Sequence, residues 1–202
     1  LSGTAGFQHI EVQGDMAYLL NSNLVQLYQI KPDYTFATCN ALVPSHPVTH
    51  MVLEPDFIHL SRAGFYRGLE SFPLNGGQNP LPSPDYNLRH KKVTDICVVE
   101  TASLGTFACI VEEDAGLRIV DVTNPDRPAL VNTIEEDVRT VATYQDLVIY
   151  STYPNILTIA SIVSGQGDMS TLATFACPDA MLVKDLFVED DFLYVAQVIC
   201  GM

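Results

Sequence analysis

The chain is short of positive charge: 10 Lys and Arg stand against 24 Asp and Glu in 202 residues, a formal net charge of -14. Nucleic acid and anionic membrane surfaces both demand a basic footprint, so neither is expected as a partner. The one basic cluster, Arg89, His90, Lys91 and Lys92, follows a Pro-rich loop and reads as solvated surface. No apolar run approaches the roughly 18 residues a membrane span requires, so no membrane insertion is expected within this segment. Also missing are G-x-S-x-G, H-E-x-x-H, a P-loop, a G-x-G-x-x-G after a strand and any N-x-S/T acceptor. With five histidines a Ser-His-Asp or Cys-His arrangement is arithmetically available, but no motif supports one. The five cysteines, at 39, 97, 109, 177 and 200, fit neither a zinc spacing nor a disulfide-framework miniprotein. Disorder is excluded too, because 48% of residues are hydrophobic and only 17% charged. The chain begins at Leu1 without a Met, and is expected to be a piece of a longer polypeptide.

What the chain does have is a repeat. "FQHI", "VTHM", "VTDI", "VRTV" and "VKDL" recur, and their third residues are His9, His50, Asp95, Thr140 and Asp185, spaced by 41, 45, 45 and 45. A near-constant period of this size marks a repeat protein. Each string is followed by a turn and an alternating, aromatic-rich or β-branched stretch: "GDMAYLL", "PDFIHLS", "GTFACIV", "QDLVIYS" and "DDFLYVA". A third stretch, "LVQLYQI", "GFYRGLE", "GLRIVDV" or "ILTIASI", comes after a short polar turn. A fourth appears as "TFATCNAL", "ALVNTIE" and "TLATFAC". In the second copy it dissolves into "FPLNGGQNPLPSPDYN", too rich in Pro and Gly for a central strand. Phe72 to Lys92 is therefore expected to be a long loop. Four short antiparallel strands per roughly 45 residues, without an amphipathic helix, predict an all-β chain of β-propeller blades. About four and a half blades are present, over 7–47, 48–92, 93–137, 138–182 and, in part, 183–202.

The stretch "GLRIVDVTNPDRPALV", preceded by "VTDI" and followed by "DVRTVATYQDLVIYS", resembles the LVIVD repeat, a β-propeller repeat. The third copy carries the likeness most closely, and the second departs most by losing the Asn-Pro exit. The resemblance implies a fold, and a surface or secreted propeller without an assigned reaction.

Three residue sets are candidates for chemistry. His9, His50, Asp95 and Asp185 hold equivalent positions on the first strand of their blades, where side chains facing a central channel would suit a divalent metal such as calcium or a polar ligand. The same groups would equally serve as caps for the backbone of their own or the adjacent blade. The acidic triplets Glu112-Glu113-Asp114, Glu135-Glu136-Asp137 and Glu189-Asp190-Asp191 offer calcium oxygens but match no calcium-loop spacing. Cys97 and Cys109 fall on adjacent strands of one blade, placed either for a disulfide or as buried thiols. The functional expectation is a non-enzymatic extracellular or cell-surface module without a cofactor, acting through protein partners or self-assembly. The alternative is a propeller enzyme or small-ligand receptor with a metal-dependent site at the channel mouth.

Overall fold

A computed structural model describes residues 6–21, 23–62, 69–74, 92–177 and 181–199. Every regular element among them is a β-strand. The chain divides into two compact units, Leu1–His90 with Pro125–Arg127, and Lys91–Asn124 with Pro128–Met202.

The first unit holds two sheets. Strands β1 (His9–Gln13), β2 (Met16–Asn21), β3 (Leu24–Ile30) and β4 (Phe36–Leu42) form an antiparallel meander in chain order. Strands β5 (Val48–Leu53), β6 (Phe57–Arg62) and β7 (Leu69–Pro73) form the second. Its third strand holds Leu69 and Glu70 of "GFYRGLE" and runs on to Pro73, so Phe72, expected in a loop, is fully buried within it. Pro73 is tolerated because it ends the strand, opposite Phe57, where no further ladder bond is required of it. Residues 63–68, and 75–91 of the expected long loop, lie outside the described residues. Tyr18, Leu20, Val25, Met51, Ile58, Leu60 and Phe72 share one core. Each such buried Leu, Ile or Phe contributes about 1.5–3 kcal/mol relative to exposure.

The second unit contains two full four-stranded blades and the first two strands of another. They are β8 (Val93–Thr101), β9 (Gly105–Glu112), β10 (Gly116–Asp121) and β11 (Ala129–Ile134); then β12 (Val138–Tyr144), β13 (Leu147–Thr152), β14 (Ile156–Ile162) and β15 (Met169–Ala176); then β16 (Met181–Glu189) and β17 (Phe192–Ile199). The alternation of "GLRIVDV" does what period 2 requires. Leu117 and Ile119 enter a core with Cys97, Val99, Phe107, Cys109, Val138, Val141, Val148 and Tyr150, while Arg118 takes the opposite side.

Short hairpins recur at fixed places. Gly14, Gln145 and Asp190 open the turns after β1, β12 and β16, all with positive φ (61°, 55° and 52°). Gly116, at φ 88°, begins β10 where an added Cβ would lie 1.9 Å from the Ile134 carbonyl oxygen, so only glycine fits. A second regularity is a bulge in the first strand: register slips between Val48 and His50, Val93 and Asp95, Val138 and Thr140, and Val183 and Asp185. Bulges re-aim side chains and leave backbone groups in want of partners.

Candidate functional site

The residue after each bulge is the one singled out by the 45-residue spacing, and the bulge explains its chemistry. Asp95 Oδ1 accepts the N–H of Ile96 at 2.8 Å, closing the bulge in its own strand. Its Oδ2 accepts the Thr140 hydroxyl at 2.5 Å and the Val141 N–H at 2.9 Å, both in the next blade. One carboxylate thus satisfies three donors and ties two blades. Burial pushes the Asp95 carboxyl above its ordinary 3.8; the three hydrogen bonds pull against that, and the nearby Asp185 charge adds to it. Asp185 repeats the local half of the device, its Oδ1 accepting the Leu186 N–H at 2.9 Å, but it is exposed.

In the first unit the equivalent positions hold imidazoles. His9 and His50 stand edge to face with centroids 6.2 Å apart, and His9 Nε2 lies 2.9 Å from Glu11 Oε1. The His50 bulge is closed from the neighbouring strand: its N–H donates to Ser61 Oγ at 3.0 Å. His9 is thus brought to His50 within one unit, and Asp95 to the neighbourhood of Asp185 within the other. Among the described residues, no three His, Cys, Asp or Glu side chains are grouped to hold a metal.

Cys97 and Cys109 lie directly opposite each other in the β8–β9 register, both buried, and both are thiols in this structure. Burial pushes the Cys97 thiol well above its ordinary value, and the adjoining Cys109 thiol and the Asp95 charge reinforce the shift. Cys39 is exposed and Cys177 half-buried; Cys200 lies outside the described residues.

Sequence reasoning missed two buried polar groups. In the second blade Ser71 Oγ lies 2.8 Å from His59 Nδ1, and His59 Nε2 lies 3.2 Å from Glu54 Oε2, with Phe57 stacked on the imidazole at 6.3 Å. This is the Ser-His-carboxylate arrangement that the histidine count left open. Ser71 and His59 are fully buried, however, so the hydroxyl has no route to a substrate. Ser71 and His59 Nδ1 satisfy each other in the core, while His59 Nε2 and Glu54 Oε1 are buried without a hydrogen bond. Nothing in a single sequence marks the group, because its three members come from β6, β7 and the preceding turn without a motif spacing.

The second missed group concerns ion pairs. Glu112, the first residue of one acidic triplet, is fully buried and accepts a hydrogen bond from Arg118 Nε at 3.1 Å. Arg118 also donates to Thr133 Oγ1 at 2.6 Å. In the second blade Glu70 is fully buried, its Oε1 accepting the Ser45 N–H at 2.8 Å and its Oε2 lying 3.7 Å from Arg62 Nε. Of the other triplets, Asp137 pairs locally with Arg139 at 2.6 Å, while Asp191 reaches back one blade to accept the Tyr144 hydroxyl at 2.6 Å.

These blades define a class, the all-β proteins built of four-stranded antiparallel propeller sheets. Residues 97–135, in the third blade, match the family model of the LVIVD repeat. No curated protein matches it significantly. Among solved structures it is similar to the computationally designed Ika8 protein, at 10% identity and a TM-score of 0.64 over 94% of this chain and 54% of that one. The designed Ika4 protein aligns at 8% identity and a TM-score of 0.58, over 81% of this chain and 96% of that one. A protein from Lactobacillus plantarum aligns at 13% identity and a TM-score of 0.64, over 83% and 54%. The chain therefore spans about half the length of Ika8 and of the L. plantarum protein. At these identities the likeness is one of fold.

Proposed function

We propose that the chain is a non-enzymatic extracellular or cell-surface propeller module, used as a building block or protein-binding platform. The observation that carries this reading is the employment of Asp95. This half-buried member of the candidate channel series spends both oxygens on donors of its own strand and the next blade, which leaves it to hold structure. The burial of Ser71 and His59 supports the same reading, since a nucleophile without access performs no turnover. The extracellular or surface placement rests on the resemblance to LVIVD-repeat propellers.

A second reading, a ligand receptor with a divalent metal, draws on the His9–His50 pair. The two imidazoles are in edge-to-face contact at 6.2 Å, and among the described residues no third ligand is grouped with them. Elemental analysis and thermal melting of the purified protein, before and after chelation, separate the two. Metal-free protein whose melting is unchanged by calcium or zinc is expected. Stoichiometric metal that is lost on replacing His9 and His50 with Ala would reverse the conclusion.

A further inference from the structure

We propose that Cys97 and Cys109 are a folding-coupled oxidation site: a small-molecule disulfide converts them to a cross-strand disulfide before the core closes over them. This pairing rests on the extracellular placement proposed above only for its source of oxidant, since disulfides persist in oxidising compartments.

Register brings the two residues together. Beyond the bulge between Val93 and Asp95, β8 and β9 run without a further slip to Thr101 and Gly105, and Cys97 stands directly opposite Cys109. Directly opposed residues of an antiparallel pair have Cα atoms about 4.5 or 5.5 Å apart, and a disulfide accepts about 4.4–6.8 Å. The two side chains share a face as well as a rung. Both enter one core with Val99 and Phe107, the next rung on that face, and with Val138, Val141, Val148 and Tyr150 of the following blade. There the two thiols are within hydrogen-bonding reach of each other. No other cysteine falls in the sheet of β8 to β11, so neither thiol has a competing partner on an adjoining strand.

The same core sets when the bond can form. Both thiols are buried in the folded chain, and burial pushes the Cys97 thiol well above its ordinary value. Folded chain therefore offers little thiolate, which is the attacking species. Unfolded chain offers the ordinary amount. In it one thiolate attacks a sulfur of the oxidant, such as oxidised glutathione, making a mixed disulfide and expelling one glutathione thiol. The second cysteine then attacks the protein-bound sulfur and expels the other. Two electrons and two protons pass from the pair to the oxidant, which ends as two thiols. Because Asp95 lies two residues before Cys97, the bond fastens the strand that holds the next blade to its neighbour within its own blade.

Reduced chain taken slowly out of urea in reduced and oxidised glutathione, then alkylated under denaturing conditions, tests this. Digestion after glutamate separates the two cysteines at Glu100. A peptide containing Cys97 joined to one containing Cys109 is expected, and it should be missing when oxidised glutathione is omitted. The same oxidant added to chain already folded in its reduced form should join them at least about tenfold more slowly. Oxidised wild type should melt roughly 5–10 °C above the reduced form, and Cys97→Ala should lose both the joined peptide and that difference. The wild-type peptide map needs no variant to fold. Cys97 and Cys109 both alkylated after oxidative refolding, or joined to other cysteines, would overturn the proposal, as would equally fast closure in the folded chain. The refolding mixture supplies the oxidant, so these results decide the pairing alone. The metal measurement decides the proposed function, and the two failures are distinguishable.

Discussion

Glu112 and Arg118 form, inside the third blade, a buried ion pair whose mirror image sits in the second. Glu112 lies opposite Val93 and Arg62 opposite Val48, while Arg118 lies opposite Ile110 and Glu70 opposite Leu60. The two pairs occupy equivalent positions with the charges exchanged. What the site specifies is a diagonal pair of opposite charge, in either order.

Removing one partner should leave an uncompensated buried charge. Arg118→Met or Glu112→Gln is expected to cost about 3 kcal/mol, measured by urea unfolding. The double exchange, Glu112→Arg with Arg118→Glu, should recover much of that loss, because the second blade already holds that order. A double variant no more stable than the worse single one would show that the pairs are not equivalent.

Asp95 links stability to pH in a direction opposite to that of most carboxylates. Its folded pKa is raised above 3.8 by burial, so between 3.8 and the raised value the unfolded chain has released a proton that the folded chain keeps. Its contribution is full below 3.8 and declines as pH climbs through the folded value. The stability difference between wild type and Asp95→Asn should show that decline. Asp95→Ala, which strands the Thr140 hydroxyl and the Val141 amide, should cost about 2–3 kcal/mol at neutral pH.

Two turn positions test the backbone account. Gly116→Ala would drive a Cβ into the Ile134 carbonyl at a positive φ, and should destabilise by more than about 2 kcal/mol. Gln145, in the place Gly14 holds in the first blade, also has positive φ. Gln145→Gly should therefore stabilise the chain by up to about 1 kcal/mol. Thermal melting of both variants is the check.

The thiols should divide by burial. Alkylation of the native protein near neutral pH should reach exposed Cys39, while Cys97 and Cys109 react only after unfolding. Intact mass after denaturing alkylation then reads the Cys97–Cys109 pair directly, since a disulfide between them would leave two fewer sites modified.

Much of this was legible in the chain. The spacing from His50 to Asp185 located each first strand, and with it the bulge residue, because the repeat preserves position even where it changes chemistry. "GLRIVDV" disclosed its two faces by alternation, and both are buried at Leu117 and Ile119 on one side and Val120 and Val122 on the other. Function-bearing geometry was harder to see. Spacing showed Asp95 to be equivalent to Thr140, but that Asp95 reaches Thr140 depends on a register slip that no residue pattern announces. Glu112 looked like turn charge because its neighbours Glu113 and Asp114 are; its burial is matched by Arg118, diagonally across on the next strand. Glu54, His59 and Ser71 meet only through strand pairing. The reach of β7 to Pro73 escaped notice because Pro73 reads as a breaker, though its place at a strand end makes it harmless.

The central claim is that Asp95, the bulge residue of β8, binds its own blade to the next by accepting backbone donors from both. The most direct measurement is a pH titration of the Val141 and Ile96 amides by NMR. The account predicts that both amide protons move with a common midpoint above 3.8, and that Asp95→Asn abolishes the movement in both. A Val141 amide indifferent to Asp95 ionisation, or a midpoint below 3.8, would contradict it.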